Sequence, residues 1–181
     1  MTATPETLNI LSLNVRGMRD SNKRRELFRW IKRFHNGNNS IILLQETHSE
    51  SKNEQPWETE WGSHIFFSHG ETNARGVAIL MPQKYNFIIE KTWKDEEGRI
   101  LLLTVKLDDK QINLVNVYAP TKNKPKEQKE FYNTLYNAIH LSEFPLIIGG
   151  DMNTYLNPDF DKAGGKTEEL SMLARNIQWP L

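Results

Sequence analysis

The sequence predicts one domain of the α/β or α+β class, with one large sheet or two packed sheets and helices outside. Short β-type runs alternate with a few amphipathic helical segments, and this mixture is typical of that class. The chain has 181 residues, of which 38% are hydrophobic and 25% charged, so it can bury a core. No internal repeat, low-complexity tract or glycine-serine linker divides it, which favours a single domain.

The first quarter of the chain predicts a strand, a helix and a second strand. Residues 8–15, LNILSLNV, form a strand pattern. Asp20 and Ser21 give a helix N-cap signal, and apolar residues then recur at helical spacing: Leu27, Trp30, Ile31 and Phe34. The basic residues of this helix fall largely on other faces, which predicts a solvated amphipathic face. Residues 41–45, IILLQ, form a short apolar run typical of a buried strand.

The middle of the chain is rich in β-type runs. They are residues 65–68, 76–81, 87–93, 99–107 and 111–118. The residues between the last two runs, DDK at 108–110, predict a hairpin turn.

The last third returns to mixed structure. Pro125 begins a second helix, whose predicted apolar face carries Phe131, Leu135, Ala138 and Ile139. Residues 146–150, LIIGG, predict another strand. Thr167 is a cap signal for a last short helix, with Leu170, Leu173 and Ala174 on it.

Composition excludes several classes of site. The chain has 23 Lys plus Arg and 23 Asp plus Glu, so net charge alone does not indicate nucleic-acid binding, although a local basic face is enough for it. Cysteine is absent, which excludes disulfides, cysteine-ligated zinc and a cysteine nucleophile. No signal-peptide pattern and no run of membrane-spanning length is present, so we expect an intracellular protein, in the nucleus or cytoplasm, with no membrane partner.

Four predicted strands end in polar residues that a buried core does not require. These ends carry Asn14, Gln45-Glu46, Asn116-Val117-Tyr118 and Asp151-Met152-Asn153. Binding groups often cluster where strands end and loops begin. We therefore treat the four ends as one candidate site.

The residue types suit hydrolysis of a phosphate ester with the help of a hard metal ion. Mg²⁺ prefers oxygen ligands, takes one or two protein carboxylates and keeps several waters. Glu46 is the candidate main ligand, with Asn14 supporting it, and Asp151 is the candidate group that orients or deprotonates the attacking water.

The remaining polar residues and two glycines complete this interpretation. Asn153 can hold the phosphate through its amide, and Tyr118 either donates to the phosphate or, with a lowered pKa, acts as an anion. Gly149 and Gly150 leave room for close backbone approach beneath a substrate.

Each candidate also has a structural interpretation. Asn14 can be a turn former, Glu46 a solvated strand end, Tyr118 an interfacial core aromatic, and Gly149-Gly150-Asp151 a simple strand-ending turn. The histidines lack metal-ligand spacing, so we expect structural or surface roles for His48, His69 and His140. The choice between the functional and the structural interpretation depends on whether the fold brings the four strand ends together.

Five motifs, in order and at matching spacing, resemble the endonuclease/exonuclease/phosphatase superfamily. They are LNVRG with Asn14, LLQETH with Glu46, GVAIL at 76–80, NVYAP with Tyr118, and IIGGDMN with Asp151 and Asn153. The resemblance covers residues 8 to about 165 and is strongest to the exonuclease III-like endonuclease domains of non-LTR retrotransposons. QETH, NVYAP and GGDMNTYLNPDFDKAGG are similar to that subgroup; Asp161 matches its tail, with no role implied.

The resemblance implies an α/β fold of four layers, αββα, in which two mixed sheets pack face to face between helices. It implies Mg²⁺- or Mn²⁺-dependent cleavage of DNA phosphodiesters. It places the metal at Glu46 with help from Asn14, water activation at Asp151, and phosphate contact at Tyr118 and Asn153. We extend the substrate contacts to Asn116, which shares the NVYAP motif.

The resemblance also predicts what surrounds this domain. In the retrotransposon subgroup the nick primes a reverse transcriptase, so we expect such a domain in the same longer polypeptide. The family pattern continues to a Ser-Asp-His segment, and no His follows Asp151 here. We therefore expect the domain at 8–181 to lack the family's C-terminal strands. Residues 1–7 are expected to form a disordered tail. Loss of that His is expected to slow cleavage on the order of 10² to 10⁴.

Three hypotheses follow. The first is a retrotransposon-type DNA-nicking endonuclease domain. The second is a non-catalytic remnant or binding fragment. The third is a lipid or inositol-phosphate phosphoesterase of the same superfamily.

Overall fold

The fold is described from a computed structural model, for residues 8–71 and 73–154. These residues form eight strands and three helices. In chain order they are β1 (Asn9–Asn14), α1 (Ser21–Phe34), β2 (Ser40–Gln45), α2 (Glu54–Trp61), β3 (Ile65–Ser68), β4 (Val77–Leu80), β5 (Ile88–Lys94), β6 (Ile100–Leu107), β7 (Lys110–Tyr118), α3 (Pro125–Ile139) and β8 (Leu146–Asp151). The predicted tail at 1–7, the helix at Thr167 and Asp161 lie outside the described residues.

The chain divides into two compact units. The first contains residues up to Tyr118 together with Ser142–Asp151, and the second contains Ala119–Leu141 together with the residues from Met152 onward. All eight strands, α1 and α2 belong to the first unit, and α3 belongs to the second.

Two four-stranded sheets make up the first unit, and both are mixed. The first has the order β1-β2-β4-β3, with β1 and β2 parallel and the other neighbours antiparallel. The second has the order β5-β6-β7-β8, with only β7 and β8 parallel. The predicted hairpin is confirmed, because β6 and β7 pair around a turn in which Asp108 has φ 53°.

The two sheets pack face to face through one apolar cluster. Strands β2 and β4 contribute Ile41, Leu43, Val77 and Ile79, and strands β6 and β7 contribute Leu101, Leu103, Val105 and Leu114. Side chains alternate between the faces of a strand, so the residues between these on β2 face the other way. The predicted α/β fold with two packed mixed sheets and helices is confirmed.

Helices α1 and α2 cover the other face of the first sheet. Phe28, Ile31, Trp57 and Trp61 pack there in one cluster with residues of β2, β3 and β4. The rings of Phe28 and Trp61 meet edge to face with centroids 5.3 Å apart. This aromatic layer fixes both helices on the sheet.

Helix α1 begins where the sequence predicts, but its buried face is rotated. Asp20 caps it, since its side chain accepts from the Lys23 backbone N–H at 2.7 Å. Phe28 is buried, whereas Trp30 and Phe34, which were assigned to the apolar face, are 39% and 62% exposed. The predicted face is therefore wrong in part.

Two basic residues of α1 make specific hydrogen bonds to the rest of the fold. Lys23 Nζ donates to the carbonyls of Val15, Arg16 and Gly17 at 2.8, 3.1 and 2.6 Å. Arg24 is buried and donates to both carboxylate oxygens of Glu60. The basic helix thus helps to fix the loop that follows β1.

The second unit contains α3, whose predicted apolar face is confirmed at Phe131, Leu135 and Ile139, all buried. Pro125 is at its start, as predicted. The Tyr132 hydroxyl donates a hydrogen bond to the Met152 carbonyl at 3.0 Å, which connects the helix to the second segment of its own unit.

Candidate active site

Strands β1 and β2 bring Asn14 and Glu46 to the same sheet end. The strands are parallel and their register places Asn14 beside Gln45, the residue before Glu46. Glu46 leaves the strand with φ 53°, a left-handed conformation that glutamate seldom adopts. Gly17 N donates to the Glu46 carbonyl at 2.6 Å and holds that turn. Such strained positions are often associated with functional sites.

Strands β7 and β8 place Tyr118 and Asp151 side by side in the second sheet. These strands are also parallel, and their register pairs the two residues directly. Carboxyl ends of parallel strands meet at one sheet edge. Two parallel pairs, one in each sheet, therefore carry four of the predicted site residues.

Asn14 joins the two carboxylates of the site. Its Nδ2 lies 2.7 Å from Glu46 Oε1 and 3.0 Å from Asp151 Oδ2. Its Oδ1 accepts from the Arg16 backbone N–H at 3.2 Å, which orients the amide nitrogen toward the acids. In this orientation Asn14 supports Glu46 as a hydrogen-bond donor, and its amide oxygen is engaged elsewhere.

Tyr118 completes the cluster as a neutral donor. Burial raises the pKa of its phenol to about 12, and the charge of Glu46, a hydrogen bond to Glu46 and the charge of Asp151 act in the same direction, against Arg99. The hydroxyl therefore stays protonated at neutral pH. This direction of the pKa shift disfavours the alternative of a phenolate with a lowered pKa.

The donor set fits a hard divalent cation. Glu46 and Asp151 supply two carboxylates that share one hydrogen-bonded neighbour, and Mg²⁺ or Mn²⁺ takes one or two carboxylates and completes its shell with water. Within residues 8–71 and 73–154, no group of three or more His, Cys, Asp or Glu could hold a metal.

Asn116 does not line this site, and the prediction that it binds substrate is corrected. Its side chain is fully buried between the sheets. Its Nδ2 donates to the carbonyls of Leu44 and Ala78 at 2.9 and 2.8 Å, and its Oδ1 accepts from Gln45 Nε2 at 2.7 Å. Asn116 and Gln45 are a polar clamp that fixes one sheet against the other.

The two glycines before Asp151 serve packing within the unit. They lie inside β8 rather than beyond it. A Cβ at Gly149 would lie 2.5 Å from Leu43 Cδ1 in the facing sheet, and a Cβ at Gly150, where φ is 138°, would collide with the Val117 carbonyl. Contact with a side chain of the facing sheet explains Gly149, and contact with neighbouring backbone explains Gly150, without any substrate.

Asn153 belongs to the second unit. Its φ is 46°, and its Nδ2 donates to the Ala119 carbonyl at 2.6 Å. Its predicted contact with phosphate stays a prediction.

His69 is engaged away from the carboxylates. Its Nδ1 lies 2.9 Å from Ser49 Oγ and its Nε2 lies 2.7 Å from Glu54 Oε1. These contacts agree with the structural role that was expected for it.

Arg99 is the site-adjacent residue that sequence analysis missed. It is buried, and its guanidinium carbon lies 5.5 Å from the centroid of the Tyr118 ring. In the observed register position 99 lies opposite position 118. The turn predicted at 108–110 would instead pair position 118 with position 100, so the sequence placed this neighbour one residue away.

Comparisons with known proteins agree with this geometry. Residues 7–171 match the Endonuclease/Exonuclease/phosphatase family. A stretch of 152 residues is 33% identical to the "Transposon TX1 uncharacterized 149 kDa protein" of Xenopus laevis, covering 83% of this chain. The chain spans only 11% of the length of that relative.

Solved structures show the same fold. A humanized D. rerio TDP2 carrying 14 mutations matches with a TM-score of 0.62 and 18% identity, over 82% of this chain and 67% of the other. TDP2 from C. elegans matches with a TM-score of 0.57 and 17% identity, over 81% of this chain and 48% of the other. At these identities the likeness shows the fold alone.

No helix among the described residues is long and apolar enough to cross a membrane.

The motif order, the paired parallel strand ends and the match over most of the chain agree. This chain belongs to the endonuclease/exonuclease/phosphatase family.

Proposed function

We propose that this chain is a metal-dependent phosphodiesterase of the endonuclease type that nicks DNA. The observation that carries the proposal is the Asn14 amide, which joins Glu46 and Asp151 from the ends of two different sheets. If these residues had only structural roles, we would expect each side chain to have its own separate hydrogen-bond partners. A shared cluster of two carboxylates, an amide and a phenol is suited to phosphoester chemistry.

Glu46 would be the main ligand of Mg²⁺ or Mn²⁺, with Asn14 holding its carboxylate in place. The bound ion would supply polarisation of a phosphoryl oxygen and stabilisation of charge on the leaving oxygen. Two negative side chains held around one amide favour such a cation, because their charges otherwise repel.

The remaining roles belong to the chain's own groups. The Asp151 carboxylate accepts a proton from the attacking water or orients it. The Tyr118 hydroxyl donates a hydrogen bond to a phosphate oxygen, which its raised pKa allows throughout the neutral range. Asn153 contacts the phosphate through its amide; this role is carried over from the motif in which it follows Asp151.

DNA is the substrate that the sequence favours. The motifs resemble the retrotransposon subgroup, and one relative is a transposon protein. We propose that the domain acts within a longer polypeptide whose reverse transcriptase uses the nick. A location in the nucleus or cytoplasm stays a prediction.

The test compares substrate classes in parallel. Purified residues 1–181 are incubated with Mg²⁺ and supercoiled plasmid, a phosphomonoester, an inositol polyphosphate or sphingomyelin vesicles. Conversion of supercoiled to nicked plasmid, with the other substrates intact, supports the proposal. Cleavage of a lipid or inositol phosphate without nicking contradicts it, and so does inactivity on every substrate, which would favour a binding remnant.

A further inference from the structure

Arg99 occupies the position opposite Tyr118 at the start of β6. The register of β6 and β7 pairs Ile100 with Val117, and the Tyr118 N–H donates to the Arg99 carbonyl at 2.8 Å just beyond that pair. Arg99 is only 7% exposed. A buried guanidinium requires hydrogen-bond partners, and here those partners include the candidate site.

Arg99 holds both the backbone and the ring of Tyr118. Its Nη1 donates to the Tyr118 carbonyl at 3.1 Å. Its guanidinium carbon lies 5.5 Å from the centre of the Tyr118 ring, within cation–π range. Tyr118 in turn pairs directly with Asp151 in the register of β7 and β8. Arg99 therefore acts on the site through Tyr118.

The turn that carries Arg99 is itself rigid. Asp95 Oδ1 accepts from the backbone N–H groups of Arg99 and Ile100, both at 2.9 Å. Ser68 Oγ donates to the same oxygen at 3.1 Å. These hydrogen bonds therefore fix the backbone that carries the Arg99 guanidinium.

The same turn also reaches the loop of Glu46. Gly76 N donates to the Gly98 carbonyl at 3.0 Å, and Thr47 N donates to the Gly76 carbonyl at 3.0 Å. Gly98 has φ 68°, and a Cβ there would collide with the backbone of Gly70. One turn thus fixes the backbone at Tyr118 and the backbone of the loop next to Glu46.

We propose that Arg99 is a positioning residue for the phosphodiester cleavage, and this inference rests on the proposed function. Its guanidinium fixes the orientation of the Tyr118 ring, and with it the hydroxyl that would donate to the phosphate. Positioning differs from charge stabilisation of the substrate, because it acts through Tyr118 and is lost in Tyr118→Phe.

A matched pair of arginines makes the test specific. Arg75 and Arg99 both lie near the Glu97 carboxylate, but only Arg99 is stacked on Tyr118. Arg99→Met is expected to lower kcat for nicking about tenfold with KM changed less than about threefold, and Arg99→Lys to recover part of that loss. Arg75→Met is expected to stay close to wild type.

A double mutant separates positioning from a general loss of stability. If Arg99 acts through Tyr118, Arg99→Met has little further effect on kcat in the Tyr118→Phe background. The proposal would be overturned if the fold-loss of kcat in the double mutant equalled the product of the two single-mutant losses. Unchanged kcat in Arg99→Met would also overturn it.

A second measurement does not depend on activity. Protein labelled with 3-fluorotyrosine carries five reporters, and Tyr118→Phe assigns the resonance of position 118. Arg99→Met is expected to shift that resonance and Arg75→Met to leave it in place. An unshifted resonance in Arg99→Met contradicts the positioning role. If the wild-type chain does not nick but the shift is observed, the proposed function fails while the positioning of Tyr118 by Arg99 is upheld.

Discussion

Asn14 Nδ2 lies 3.0 Å from Asp151 Oδ2, although 137 positions separate the two residues in the chain. The contact joins β1, the first strand of one sheet, to β8, the last strand of the other. The site geometry therefore depends on how the sheets pack, and the packing can be tested separately from the chemistry.

Removing the Asn14 amide should weaken the site without unfolding it. Asn14→Ala leaves two carboxylates without their common donor, so we expect the nicking rate at limiting Mg²⁺ to fall about 10- to 100-fold. The measurement is the rate of plasmid nicking as a function of Mg²⁺ concentration. Asn9→Ala, an exposed asparagine on the same strand, is the control. Equal rates for the two variants would exclude a role for Asn14.

Tyr118→Phe should lower the nicking rate by the same factor across the neutral range. The phenol has a pKa of about 12, so it is protonated between about pH 6 and 9 and acts as a donor throughout. We expect a loss of about 10- to 100-fold that does not vary with pH. A loss that grows steadily with pH would show that a phenolate is the active form.

The same raised pKa has a consequence for stability at high pH. Ionisation of Tyr118 is harder in the folded chain than in the unfolded chain. The folded chain therefore loses no stability below the ordinary phenol pKa of 10.0, and its stability falls as pH rises from there toward about 12. Urea unfolding at pH values on either side of 10.0 measures this fall. Tyr118→Phe should reduce it, while the exposed Tyr136→Phe should not.

The glycines of β8 should differ in their tolerance of a side chain. In Gly149→Ala the new methyl meets the end of the flexible Leu43 side chain, so we expect a loss of about 1–2 kcal/mol. In Gly150→Ala it meets the Val117 backbone at φ 138°, so we expect at least about 3 kcal/mol. Urea unfolding measures both. Stable variants with a raised KM for DNA would instead support substrate clearance as the reason for the glycines.

Asn116→Ala should reduce stability rather than substrate binding. It leaves the buried carbonyls of Leu44 and Ala78 without their donor, which is expected to cost about 2–4 kcal/mol. Gln111→Ala, on the same strand but bonded at the surface, is the control and should cost less than about 1 kcal/mol. A weaker affinity for DNA with unchanged stability would restore the original substrate-binding assignment.

Local signals predicted much of the fold. The Asp20 cap, the helix that begins at Pro125 and the hairpin turn at 108–110 depend on neighbouring residues, and all three are present. Helix α2 was not predicted, because it has eight residues, contains Pro56 and offers only Trp57 and Trp61 as a buried pair. Its end at Gly62, in the left-handed conformation, was the available signal.

What the sequence could not supply was the contact between sheets. Asn14, Glu46, Tyr118 and Asp151 were predicted as strand ends, and the structure brings these four together. Asn116 carries the same residue type at a similar position but points between the sheets, and only the register shows this. The reason for Gly149 likewise depends on Leu43 of the opposite sheet.

Metal-dependent nicking is tested most directly by the Mg²⁺ dependence of plasmid nicking by wild type, Glu46→Ala and Asp151→Ala, with Asn9→Ala as control. We expect slow nicking by wild type and by the control, and this nicking should require Mg²⁺ or Mn²⁺ and be abolished by chelation. We expect a loss of at least about 100-fold in each carboxylate variant while folding is retained. Nicking that persists in both variants, or that continues without a divalent ion, would contradict the proposed function.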